Sequence, residues 1–94
     1  MSDDKKIDFT QEERTTIAEY VYSHEADILI VSDATNLLEV LNKHNLVDDY
    51  EGLKKGIANK ENGITSKLFR LLMSKVQKEQ GVEIMNEYFG KKTN

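Results

Sequence analysis

Between Leu37 and Leu46, apolar residues fall at 37, 38, 41 and 46, giving a short helix one broad apolar face. A polar pair, Asp48 and Asp49, breaks the run. Apolar positions resume at Leu53 and Ile57, and again at Ile64, Leu68, Leu71, Leu72 and Val76. Upstream, Ile17, Tyr20, Val21 and Ile28 keep helical spacing behind Thr10-Gln11-Glu12-Glu13. That tetrad is a capping-box pattern, in which the threonine hydroxyl takes a backbone amide and Glu13 reaches back to the cap. The polar stretch Ser23-His24-Glu25-Ala26-Asp27 interrupts the apolar face, which predicts a bend or a division of the first helix. The run Ile28 to Val31 is apolar throughout. A lone strand would have no partner here, so the run reads as the buried end of a helix.

Further start and stop signals divide the rest. Ser32 or Asp33 can cap a second helix that runs to about His44. Asp48-Asp49-Tyr50-Glu51 repeats the capping-box pattern and opens a third helix carrying Leu53 and Ile57. Gly52 and Gly56 lie inside it, and each costs about 1 kcal/mol relative to alanine, so that helix is expected to be short. Asn62-Gly63 marks a turn, Asn62 or Thr65 caps a fourth helix reaching about Glu79, and Gln80-Gly81 ends it. A last helix over 82–89 presents Val82, Met85, Tyr88 and Phe89. Loops this short join antiparallel neighbours. The expected fold is all-α: a compact antiparallel bundle of five to six helices with a bent first helix. The polar ends set the expected divisions: a flexible segment over 1–10, a helical domain over 11–90 and a tail over 91–94.

Composition narrows the class. The 94 residues suit one domain, and 38% hydrophobic with 32% charged residues suits a water-exposed one. No apolar run approaches the roughly 20 residues that cross a bilayer, so no membrane is expected. Met-Ser-Asp-Asp-Lys-Lys has no apolar segment behind it, so no secretory signal is expected. Cysteine is absent, which removes disulfide and thiolate chemistry and favours a cytoplasmic home. The net charge of −4 argues against a surface built for phosphate backbones, so no nucleic acid is expected.

Charge order changes the picture more than charge total. Residues 33–51 carry Asp33, Glu39, Asp48, Asp49 and Glu51 against Lys43. Residues 54–78 carry Lys54, Lys55, Lys60, Lys67, Arg70, Lys75 and Lys78 against Glu61. An acidic stretch therefore precedes a basic one. Either these are solvated helix faces, or the domain has two flanks of opposite sign.

Candidate chemistry is sparse. His24 and His44 lack the further ligands that a zinc site requires, and His44 reads as a helix C-terminal residue. Asp48, Asp49 and Glu51 lack the alternating oxygens and central glycine of a calcium loop. Ser23, Ser32, Ser66 and Ser74 have no nucleophile elbow or histidine–carboxylate relay. There is no glycine-rich phosphate cradle. Met73 and Met85 read as core filler, and the tyrosines and phenylalanines as core or rim. The expectation is a protein without catalysis, cofactor, metal or small-molecule substrate.

The order of elements resembles a caspase recruitment domain (CARD), a member of the death-domain superfamily. The residues that carry the resemblance are Leu37-Leu38-x-x-Leu41 in the second helix and Leu46-Val47 before the acidic cap Asp48, Asp49 and Glu51. Lys67 through Arg70-Leu71-Leu72 matches the fourth helix, and Lys78-Glu79-Gln80-Gly81 stands where that family has a break before a fifth helix, here Glu83 to Phe89. The match covers about residues 12–90. The family usually has a sixth helix, and only Lys91 to Asn94 remain for it. The resemblance implies homotypic docking on another CARD-containing protein or on itself, in apoptotic or inflammatory signalling, as an adaptor or a decoy. It implies a basic surface of Arg14, Lys67 and Arg70 and an acidic surface of Glu39, Asp48, Asp49 and Glu51. Arg70 is the leading single candidate, since arginine makes planar two-point contacts with carboxylates. Two alternatives stand beside it: a small helical regulator of another family with one protein partner, and a helix-turn-helix DNA binder. The DNA-binding reading has acids opening its third helix, where phosphate would lie.

Overall fold

The computed structural model describes residues 6–92 of the chain. They form five helices and no strand: α1 (Gln11–Ala26), α2 (Val31–Lys43), α3 (Tyr50–Ala58), α4 (Ile64–Lys75) and α5 (Lys78–Lys92). Lys91 and Lys92 belong to α5, and no sixth helix occurs among the described residues.

Local chemistry sets the helix ends. At α1 the capping box is complete: Thr10 Oγ1 accepts from the Glu13 amide at 3.1 Å, and Glu13 Oε1 accepts from the Thr10 amide at 2.9 Å. The helix then runs unbroken through Ser23–Ala26, so the polar stretch does not divide it. It stops because Asp27 turns left-handed (φ 61) while the Ile28 amide donates to Ser23 O at 3.0 Å, closing the last turn. This turn corrects the expectation for Ile28 to Val31. The left-handed residue breaks the helical rotation that would have carried these side chains inward. Residues 28–30 are irregular and Val31 opens α2. Leu29 packs against the core, whereas Ile28, Ile30 and Val31 are 57%, 62% and 45% exposed.

The expected caps of α2 and α3 are both displaced: the N-cap position of α2 is Ile30, so neither Ser32 nor Asp33 occupies it. Asp33 Oδ2 accepts from the Ile30 amide at 3.2 Å at the start of α2. Asp49, one position later than the box pattern suggested, caps α3 by accepting from the Gly52 amide at 3.1 Å. Gly56 is buried, and a Cβ there would lie 2.8 Å from Ile64 Cδ1, so its lack of a side chain brings α3 close to the start of α4.

The last two helices depart from expectation. Neither Asn62 nor Thr65 caps α4; Gly63 does so by position, at φ 77, with no side-chain bond. Helix α4 ends at Lys75 because Val76 is extended (φ −107, ψ 130). Helix α5 starts at Lys78 and carries Gly81 within it, so Gln80-Gly81 is not a break. Its inward residues are Gln80 and Ile84, at 5% and 2% exposure, while Val82 and Phe89 are 50% and 41% exposed.

Helix α2 packs on α1, α3 and α4; α1 also packs on α4 and α5, and α3 on α4. Leu37, Leu38 and Leu41 of α2 meet Leu68 and Leu72 of α4 in the fully buried centre, with Ile17 and Tyr20 of α1 beside them. Truncating one such leucine to alanine typically costs about 2–5 kcal/mol, against a whole-domain stability of about 5–15 kcal/mol. Tyr20 brings its polar end with it: its hydroxyl donates to Thr65 O at 2.7 Å, tying α1 to α4, and burial pushes its phenol pKa up.

The fixed part of the chain begins ahead of residue 11. Phe9 is 3% exposed. The Ile7 amide donates to Gln80 Oε1 at 3.1 Å, and Gln80 Nε2 donates to Ile7 O at 2.5 Å, so one buried side chain satisfies both backbone groups of Ile7. The remaining residues of the expected flexible ends, 1–5 and 93–94, lie outside the described residues.

Candidate functional site

The acidic candidates are gathered by the α2–α3 junction. Glu39 projects from the outer face of α2 because Leu37, Leu38 and Leu41 turn inward around it. Tyr50, the first residue of α3, donates its hydroxyl to Glu39 Oε2. That bond, followed by desolvation and then by the nearby Glu39 and Glu51 charges, raises the phenol pKa of Tyr50. Lys54 Nζ sits 5.5 Å from the centre of the same ring. Asp49 is part of the group, but one of its oxygens is occupied in capping α3. Asp48, Asp49 and Glu51 are all exposed. This corner therefore concentrates negative charge on elements whose positions the core fixes.

The basic candidates divide. Lys67 and Arg70 share the outer face of α4, three residues apart, opposite Leu68 and Leu72. Both are exposed, and none of the ion pairs among the described residues involves them. Arg14 is engaged within the chain. Its Nε donates to Glu87 Oε1 at 2.9 Å, Nη1 to Phe9 O at 2.7 Å and Nη2 to Gln11 Oε1 at 3.0 Å. Arg14 thus fastens α1 to α5 and to the N-terminal segment.

A second polar cluster was not foreseen. Glu13, 7% exposed, receives His44 Nε2 on Oε1 at 2.8 Å and Lys43 Nζ on Oε2 at 3.1 Å, besides the Thr10 amide. A carboxylate only accepts, so His44 Nε2 carries the hydrogen. The Thr10 amide, with His44 and Lys43, holds the Glu13 carboxyl at about 2 against the opposing effect of burial. His44 is thus the C-terminal residue of α2, as expected, and also its bolt to α1; Phe9 meets its ring edge-on at 4.8 Å. This cluster joins elements and presents no open carboxylate. Among the described residues, no three His, Asp or Glu side chains group to hold a metal. No helix among them is long and apolar enough to cross a membrane.

The exposed apolar residues were also missed. Met73, read from sequence as core filler, is 48% exposed on α4 and lines a groove of about 420 Å³ with Val21, Phe69, Val82 and Met85. The signal was present in the pattern: Met73 is out of register with the Leu68 and Leu72 stripe of its own helix. Compared with protein-family models, with curated proteins and with solved structures, the chain matches none.

Proposed function

We propose that this chain is a CARD-like interaction domain of the death-fold class, with a bent first helix and antiparallel helices. In this reading it docks on a like domain, or on another copy of itself, through flanks of opposite charge. The observation that carries the reading is the separation of exposed charge: Glu39, Asp48, Asp49 and Glu51 at the α2–α3 corner, Lys67 and Arg70 on the outer face of α4. Opposite potentials of this kind steer encounter and fix register, while each exposed pair adds about 0–1 kcal/mol. Arg70 supplies the two-point contact and Lys67 a point charge. Arg14 contributes chiefly by holding α1 on α5, since its donors are engaged within the chain. The acidic α2–α3 corner disfavours a helix-turn-helix DNA binder, because that motif would bring it against phosphate. The reading places the chain in cytoplasmic signalling of the apoptotic or inflammatory kind, as adaptor or decoy, with no reaction, cofactor or metal of its own.

Light scattering on the size-separated protein, at low and high salt, tests this reading. The parent is expected to self-associate at low salt and to dissociate as salt screens the exposed charges. Arg70→Glu and Asp49→Lys, made separately, are each expected to lower that association. Folded single variants that associate like the parent would show that these flanks are not the docking surfaces.

A further inference from the structure

The Asn62-Gly63 turn has no part in the charged flanks, yet its chemistry is distinctive. It closes the α3–α4 connection through the Ile64 amide, which donates to Glu61 O at 3.2 Å. Gly63, at φ 77 and ψ 3, takes the third position of a type II turn. Asn62 is exposed, and among the described residues no hydrogen bond engages its side-chain amide or the Gly63 N–H. A Cβ on Gly63 would meet nothing within 4 Å, so the space beside its nitrogen is open. The other asparagines among the described residues differ in this respect. The Leu46 amide behind Asn45 donates to Leu41 O at 2.9 Å, and the Lys60 amide behind Asn59 donates to Ile57 O at 3.1 Å. Asn36, Asn42 and Asn86 lie inside α2 and α5, where the following amide belongs to the helix ladder. Each of these five is also followed by a residue with a bulky side chain.

We infer that Asn62 is a self-modification site: its side-chain amide deamidates through Gly63, ahead of the other asparagines, to give aspartate and isoaspartate. Solvent base takes the Gly63 amide proton, and the nitrogen attacks Asn62 Cγ. The N–Cγ bond forms, the Cγ–Nδ2 bond breaks, and ammonia leaves with a proton, closing a five-membered succinimide. Water then adds to one of the two ring carbonyls. Opening at Cγ leaves aspartate in an ordinary backbone. Opening at the main-chain carbonyl routes the chain through Cγ as isoaspartate. No oxidant or cofactor enters. Glycine favours closure because it has no side chain to crowd the attacking nitrogen and tolerates the changed backbone. The attack requires rotation about Asn62, which the one Ile64–Glu61 bond opposes, so the opening is local rather than global. Either product adds one negative charge to the net −4, at the N-terminal end of the helix that carries Lys67 and Arg70. Isoaspartate also inserts one backbone carbon directly before Gly63, where α3 and α4 approach closely. There Ile64 Cδ1 lies 2.8 Å from the position of a Cβ on Gly56, and Thr65 O accepts the Tyr20 hydroxyl. The isoaspartyl product therefore loosens this connection. The inference does not rest on the proposed function.

Peptide mapping tests it. The intact protein is kept warm in mildly alkaline buffer, sampled over time and digested with trypsin, with an unaged sample digested alongside. Cleavage after lysine and arginine places Asn62 alone in residues 61–67 and Asn59 alone in residues 56–60. The 61–67 peptide is expected to gain the mass of an amide-to-acid conversion at least about tenfold faster than any other asparagine peptide. It is also expected to become a substrate for an enzyme that methylates isoaspartyl carboxylates. Asn62→Gln, at an exposed turn position, is expected to lose both signals, and circular dichroism checks its fold. Asn62→Asp carries the new charge without the extra backbone carbon, so aged parent enriched in isoaspartate is expected to unfold at a lower urea midpoint than Asn62→Asp. The inference is overturned if the 61–67 peptide keeps its amide, if all asparagine peptides convert at similar rates, or if Asn62→Gln accumulates as much isoaspartate as the parent. Equal urea midpoints for the aged parent and Asn62→Asp would overturn the loosening of the α3–α4 connection.

Discussion

Two groups of carboxylates in this molecule have nearly the same chemistry and opposite uses. Glu13 is buried between α1 and α2, with both oxygens engaged by Thr10, His44 and Lys43. Glu39, Asp48, Asp49 and Glu51 lie exposed at the α2–α3 corner, where Tyr50 and the α3 cap engage some of their oxygens and water the rest. Solvent decides between the roles. In a low-dielectric site a satisfied carboxylate fixes geometry and is costly to disturb; at the surface it contributes little to stability and remains available to a partner.

The largest effect that tests this contrast is truncation of the buried group. Glu13→Ala should destabilise the fold by about 2–3 kcal/mol, because it removes a cap and leaves donors on α1 and α2 unpaired. Glu39→Ala should stay within about 0.5 kcal/mol. Urea unfolding of both variants checks the difference, and equal losses would break the comparison.

The same contrast has a pH signature. The Glu13 carboxyl titrates near 4.5 without its partners and at about 2 with them. Between those values the unfolded chain holds more protons than the folded one, so stability falls as pH drops from about 4.5 towards 2. The contribution of Glu13 is fully present above that window. The urea midpoint followed through it should fall more steeply in the parent than in Glu13→Gln, which has no carboxylate to protonate at that position. Parallel curves would assign the acid sensitivity to other groups.

Neutral groups should follow the same rule. Gln80→Ala leaves the Ile7 amide without its partner, while the Ile7 carbonyl keeps only the Phe9 amide, and should cost about 1–2 kcal/mol by thermal or urea unfolding. Asp49→Ala loses a helix cap exposed to water and should cost about 1 kcal/mol. An order reversed between these two would mean that burial does not rank the polar contacts.

The sequence disclosed what is local. The Thr10–Glu13 box, the Leu37, Leu38 and Leu41 face and the short third helix follow from spacing and caps within a few residues. The α4–α5 boundary did not, because Gly81 usually signals a stop and here lies inside a helix. What holds that region is Gln80 bonding to Ile7, 73 positions away. Arg14 was misleading for a similar reason: its charge was visible, but Glu87, which engages it from 73 positions away, was not. The Ile28 to Val31 run looked buried because it is apolar, yet the left-handed turn at Asp27 leaves most of it outside. The opposed order of charges was legible from the chain. Which of those charges the fold uses internally depended on contacts that no local pattern encodes.

The central claim, that the exposed flanks recognise each other, meets its most direct test in a charge exchange. Arg70→Glu and Asp49→Lys are purified, shown to be folded and studied at low salt alone and in equal mixture, with molar mass followed by light scattering. If the flanks dock, each variant alone is less associated than the parent, and the mixture recovers mass because the reversed basic flank of one meets the reversed acidic flank of the other. A mixture no heavier than its components, or single variants as heavy as the parent, would contradict the account.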